Sequence, residues 1–124
     1  MAETGKDVLI VDDEEDSREF IKEALSSESL SITCAIDGEE GLRRITEDRP
    51  DLVILDVHMP KIDGFQVLKA LKCDPKYNFI PVIMLTTETH PMSIQSAQDS
   101  GANAYLIKPI NPETFQSVIK KVFG

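Results

Sequence analysis

Basic residues are scarce in this chain. Thirteen lysines and arginines stand against 22 aspartates and glutamates, for a net charge of −9. Nucleic acid and anionic membranes both need a basic footprint, so this balance argues against either as a direct partner. Solubility alone would account for the charge; the sharper reading is that some of the acids gather around a cation. Cysteine is nearly absent, and Cys34 and Cys73 lack metal-ligand spacing. They read as free thiols in a reducing cytosol. No apolar run approaches the roughly 20 residues of a membrane span. The start, Met1-Ala2-Glu3-Thr4, has neither the basic nor the apolar segment of a signal peptide, and Ala2 stands where myristoylation requires glycine. A cytoplasmic location without membrane insertion is the expectation. Linkers, repeats and low-complexity segments are missing, and so are the G-x-G-x-x-G and Walker sequences of nucleotide sites.

What the chain does have is four apolar runs, each ending in chemistry. Val8-Leu9-Ile10-Val11 runs into Asp12-Asp13-Glu14-Glu15-Asp16, and Leu52-Val53-Ile54-Leu55 ends in Asp56. Val82-Ile83-Met84-Leu85 ends in Thr86 and Thr87, and Ala104-Tyr105-Leu106-Ile107 ends in Lys108. A fifth strand-like segment, Leu30, Ile32 and Cys34 alternating with Ser31, Thr33 and Ala35, reads as half-buried. Helical stripes lie between the strands: Phe20, Ile21, Ala24 and Leu25; Leu42 and Ile45, stopped before Pro50; Phe65, Val67, Leu68 and Leu71; and finally Phe115, Val118, Ile119 and Val122. Asp63 with Gln66 looks like a capping box, Asn111-Pro112 like a cap and first-turn pair. Pro91 marks a further helix start and Gly101 its end.

With 124 residues the chain fits a single domain, 1–124, with its core over about 7–123. Five strands alternating strictly with five helices imply an α/β fold: a (βα)5 doubly wound parallel sheet with helices on both faces. The continuously apolar strands one, three and four suit the interior. The alternating second strand and the short, mixed fifth suit the edges. Order 2-1-3-4-5 satisfies both. The chain then turns opposite ways after strands one and three, so their carboxyl ends flank a topological switch point, where such sheets bind ligands.

Asp12, Asp13 and Asp56 fall there. Two like charges about 4 Å apart cost roughly 4 kcal/mol at an effective dielectric of 20. A cation, a proton or a lysine must offset this. Oxygen ligands in a partly open site suit Mg²⁺. Lys108 supplies a point charge for a phosphoryl group or a resting carboxylate, and Thr86 a hydroxyl for a phosphoryl oxygen. Asp56 stands alone after its strand and is the best nucleophile candidate.

Together, Val11-Asp12-Asp13, Asp56 followed by Met59-Pro60 and Asp63-Gly64, then Leu85-Thr86-Thr87, Gly101-Ala102 and Lys108-Pro109 resemble the receiver domain of two-component response regulators. Each motif alone is weak; in this order, over about Asp7 to Phe123, they are very specific. The resemblance implies a CheY-like, flavodoxin-type three-layer sandwich. It implies that Asp56 is phosphorylated by a sensor histidine kinase or phosphotransfer protein, or by a small acyl phosphate, as in a phosphorelay. Asp13, Asp56 and the backbone carbonyl of His58 would bind Mg²⁺, with Asp12 helping through water. Lys108 would pair with the phosphoryl group, Thr86 and Tyr105 would form the switch pair, and the Lys108-Pro109 bond would be cis. The face of helix four, strand five and helix five would contact the downstream protein, and the kinase surface would include helix one. His58 and Glu88 would flank the phosphate as modulators of its lifetime, and Thr87 would narrow access to it. His90 reads as a helix cap or surface residue.

The leading expectation is thus a phosphorylation-dependent switch that catalyses only its own phosphorylation and dephosphorylation and is no metabolic enzyme. A pseudo-receiver interaction module is the alternative; it predicts loss of a site residue, and none is missing. An aspartate-nucleophile phosphatase needs an acid two residues past the nucleophile, where His58 stands. A flavin or nucleotide binder has only the architecture in its favour. The chain stops at Gly124, which fits either a free-standing regulator or part of a longer one.

Overall fold

The computed structural model describes residues 6–26, 30–87, 95–96 and 98–123. Strands β1 (Lys6–Val11), β2 (Leu30–Ala35), β3 (Leu52–Asp56), β4 (Val82–Thr86) and β5 (Ala104–Ile107) form one parallel sheet, ordered β2-β1-β3-β4-β5. Helices α1 (Glu15–Ala24), α2 (Gly38–Asp48) and α3 (Gly64–Lys72) and a C-terminal helix (Pro112–Phe123) cover it. Residues 95–96 and 98–99 are helical as well. The start of that helix at Pro91 lies outside the described residues.

The order follows from what each strand can bury. Every residue of β3 and β4 is buried, as are the last four of β1, whereas β2 alternates and β5 is half-buried throughout. Successive strand side chains point to opposite faces, so the core splits in two. Leu9, Val11, Val53, Leu55 and Met84 pack beneath α2 and α3, with Ile45, Val67, Leu68 and Leu71. Val8, Ile10, Ile54, Ile83 and Leu85 pack on the other face, with Ile21, Leu25, Phe115 and Ile119. Removing either layer would expose side chains worth about 1.5–3 kcal/mol each.

Helix starts are set by short polar side chains. Asp63 and Gln66 form the expected capping box of α3. The Asn111 side chain accepts from the backbone N–H of Glu113 and Thr114 ahead of the C-terminal helix. Asp37 caps α2 by accepting from Glu40 N–H. Gly101 closes the preceding helical stretch with φ of 98°, and its N–H donates to Gln98 O. The Lys108-Pro109 bond is cis, as the resemblance implied.

Two sequence expectations shift. Phe20 is not in the core stripe of α1 but 41% exposed. Ile21, Ala24 and Leu25, spaced i, i+3 and i+4, share the inward face, and residue 20 lies about 100° around from it. Asp56 and Thr86 are the last residues of β3 and β4, not the first beyond them. Both therefore inherit the rigidity of the sheet.

Candidate functional site

The carboxyl edge of the sheet brings four of the expected residues together. Asp12 follows β1 directly, and its N–H donates to Ala35 O at 3.1 Å, continuing the ladder to β2. Its side chain is buried, yet one carboxylate oxygen accepts from Glu14 N–H at 3.0 Å and the other from Lys108 Nζ at 3.2 Å. Arg18 reaches back from α1 to donate to the Asp12 carbonyl at 2.8 Å. Asp56 is only 4% exposed. Its backbone is wedged against the start of α3: a side chain on Gly64 would collide with the Asp56 carbonyl oxygen. Val57 N–H donates to Leu85 O, and Gly64 N–H to Val57 O, so the chain leaving Asp56 is pinned on both sides.

Asp12, Asp13 and Asp56 each present a carboxylate oxygen, all within 4.8 Å of one another. Lys108 projects into this cluster. Its backbone N–H donates to Thr86 O at 2.7 Å, fixing the end of β5 beside β4. Its Nζ lies 3.4 Å from Asp56 Oδ1 and donates to Ser17 Oγ at 3.0 Å. Burial raises the Asp56 pKa to about 6, and the Asp12 charge adds to this against the opposing pull of Lys108. For Lys108, burial disfavours the ammonium, but Asp12 and Asp56 outweigh it and the net shift is upward. The lysine stays charged, while the buried carboxylate beside it is short of counter-charge. Hard oxygen donors with an uncompensated negative potential fit Mg²⁺.

A cleft of about 280 Å³ opens over this cluster, lined by Asp13, Glu14, Asp56, His58, Thr87 and Lys108. His58 and Thr87 thus stand where they were expected, at the cleft wall, and both are exposed. Thr86 is fully buried at the end of β4. Tyr105 is half-buried in β5, opposite Met84 in register, and packs on the core beneath α2 and α3. Glu88 and His90 lie outside the described residues. Ser17 and Arg18 were not anticipated. Only their position directly after the acidic run could have drawn attention to them.

The model of the response regulator receiver domain family matches residues 8–120. The chain belongs to that family. The receiver domain resembles the probable chemotaxis protein CheY of Rhizobium etli, with 40% identity over 94% of this chain and 92% of that one. It also resembles part of a longer type of protein. The alkaline phosphatase synthesis transcriptional regulatory protein PhoP of Bacillus subtilis is 34% identical over 95% of this chain, which spans about half (48%) of that relative's length. Among solved structures, the chemotaxis response regulator CheY4 of Vibrio cholerae superposes with a TM-score of 0.88 at 38% identity, covering 96% of this chain and 99% of that one. The five-stranded parallel order is that of these CheY-like folds. Receiver domains of two-component systems generally bind Mg²⁺ at an aspartate cluster, and Asp12, Asp13 and Asp56 make such a group here.

Proposed function

We propose that this receiver domain is a phosphorylation-dependent switch whose acceptor is Asp56. The observation that carries the reading is the buried Asp56 carboxylate at a rigid strand end, with Asp12, Asp13 and Lys108 converging on it in an open cleft. Asp13, Asp56 and the His58 carbonyl would hold Mg²⁺, with Asp12 in support. When bound, that ion supplies positive charge against the acceptor and the incoming phosphoryl oxygens. An Asp56 carboxylate oxygen attacks phosphorus in line, forming a P–O bond as the bond to the donor breaks. The leaving group is an imidazole from a phosphohistidine, or the carboxylate of a small acyl phosphate. Lys108 stays charged and shifts from resting carboxylate to phosphoryl oxygen. Reversal of the switch is hydrolysis: water attacks phosphorus and the P–O bond to Asp56 breaks. The domain catalyses these two steps on itself and on no other substrate.

The added phosphoryl group carries about −1.5 to −2 charge and new acceptor oxygens. Thr86 bonds one of them, and Tyr105 follows inward, changing the face that β5 and the C-terminal helix share with the segment before Gly101. Carrying a two-state balance from 1:99 to 99:1 needs about 5.5 kcal/mol. One hydroxyl bond and one ion pair fall short of that, so a protein partner completes the shift. Upstream, a groove of about 260 Å³ between α1 and the turn after β5, lined by Phe20, Ile21, Pro109 and Ile110 among others, is the surface for a kinase or phosphotransfer protein. The net charge of −9 favours a protein over nucleic acid as the direct contact. No helix among the described residues is long and apolar enough to cross a membrane, in keeping with a cytoplasmic role.

His58 and Glu88 would modulate the phosphate's lifetime. His58→Ala is expected to change the autodephosphorylation rate; an unchanged rate would remove the His58 side chain as a modulator. A pseudo-receiver would respond to none of this chemistry. Beryllofluoride with Mg²⁺, followed by NMR, separates the two readings. The switch predicts shifts at Asp56, Thr86, Tyr105 and Lys108, and a spectrum that does not move would favour the interaction module.

A further inference from the structure

An ammonium has three N–H donors, and Lys108 faces three acceptors. Asp56 Oδ1 lies at 3.4 Å, Asp12 Oδ2 at 3.2 Å and Ser17 Oγ at 3.0 Å. The shortest contact goes to the one acceptor without charge. The two carboxylates draw the ammonium into the acidic cluster; the serine, half-buried on α1, draws it back toward the helix. From this geometry we infer that Ser17 is a positioning residue for Lys108. It holds the ammonium off Asp56, leaving that carboxylate open to a cation and to an incoming phosphoryl group.

Without the Ser17 hydroxyl, one N–H of a half-buried ammonium loses its partner. That donor turns to the nearest remaining acceptors, the oxygens of Asp56 and Asp12. The lysine then tightens on the acceptor carboxylate and competes with the cation for it. A neutral hydroxyl suits the task because it binds the ammonium without adding a fourth negative charge to the cluster. The inference rests on Asp56 being the phosphoacceptor, but its first consequence, weaker cation binding, does not.

The test compares the parent with Ser17→Ala and Ser17→Thr. Alanine is a better helix former than serine, so circular dichroism should find α1 intact in Ser17→Ala. Calorimetric titration with Mg²⁺ alone is the first readout, the ¹³Cε chemical shift of Lys108 the second, and the rate of modification by acetyl phosphate at saturating Mg²⁺ the third. Ser17→Ala is expected to bind Mg²⁺ about threefold to tenfold more weakly, in line with the net contribution of one ordinary, part-exposed hydrogen bond. Its Lys108 shift should move and its modification should slow, and Ser17→Thr should return all three toward parent values. Parent-like Mg²⁺ affinity and an unmoved Lys108 shift in Ser17→Ala would overturn the inference. So would a loss in Ser17→Thr as deep as in Ser17→Ala, which would place the effect in packing. If the parent itself takes no phosphoryl group, the Asp56 reading fails instead, and the Mg²⁺ and Lys108 readouts still decide the role of Ser17.

Discussion

Asp56 is held in a state that disfavours its own charge, and the sign of that shift has a direct consequence. Its pKa in the fold is about 6, raised first by burial and then by Asp12, against about 3.9 in an unfolded chain. The folded protein therefore holds the proton more tightly between these values. Stability from this group is full below the ordinary carboxylate range and is lost as pH rises through about 6. Metal-free protein should melt lower at pH 7.5 than at pH 5 for this reason. Asp56→Asn removes the loss, so at pH 7.5 without Mg²⁺ it should be more stable than the parent by about 1–3 kcal/mol. The gain should vanish near pH 4; denaturant melts at both pH values check it. The same proton competes with a cation, so Mg²⁺ affinity should fall as pH drops through about 6. The acids and Lys108 were legible from sequence because each ends a strand, and strand ends are easy to find. Ser17 and Arg18 were not, because their contacts with Lys108 and Asp12 depend on how α1 packs across the sheet edge.

Elements place these residues with little slack. Helix α3 begins against the carbonyl of Asp56, where only glycine fits. Gly64→Ala should displace the end of β3, cost about 1–3 kcal/mol of stability by overpacking and weaken Mg²⁺ binding. Thermal melts paired with Mg²⁺ titration check it, and the paired loss separates this from a stability change elsewhere on α3. Asp63→Ala, which removes only the capping box, should cost about 1 kcal/mol and leave Mg²⁺ binding near that of the parent. The strand order was readable because burial dictates composition: β3 and β4 are covered on both faces and are apolar up to their last residues, Asp56 and Thr86, whereas β2 alternates. The exposure of Phe20 was not, since two adjacent apolar residues, Phe20 and Ile21, on a short helix leave the choice of inward face to tertiary packing.

At the scale of the whole molecule, three acids at one sheet edge with one lysine between them store repulsion that a ligand can relieve. Mg²⁺ should therefore raise the melting temperature at pH 7.5, by about 2.7 kcal/mol of stability at 100 times its dissociation constant. The rise should be much smaller in Asp13→Asn. Coupling from that edge to a distant face needs an element with two arrangements, and β5 is the candidate: it is half-buried throughout, and it joins Tyr105 to Lys108 within four residues. The most direct measurement of the central claim is the intact mass after incubation with acetyl phosphate and Mg²⁺. The account predicts one added phosphoryl group, absent without Mg²⁺ and absent in Asp56→Asn. An Asn variant that gains the label as readily as the parent would contradict it.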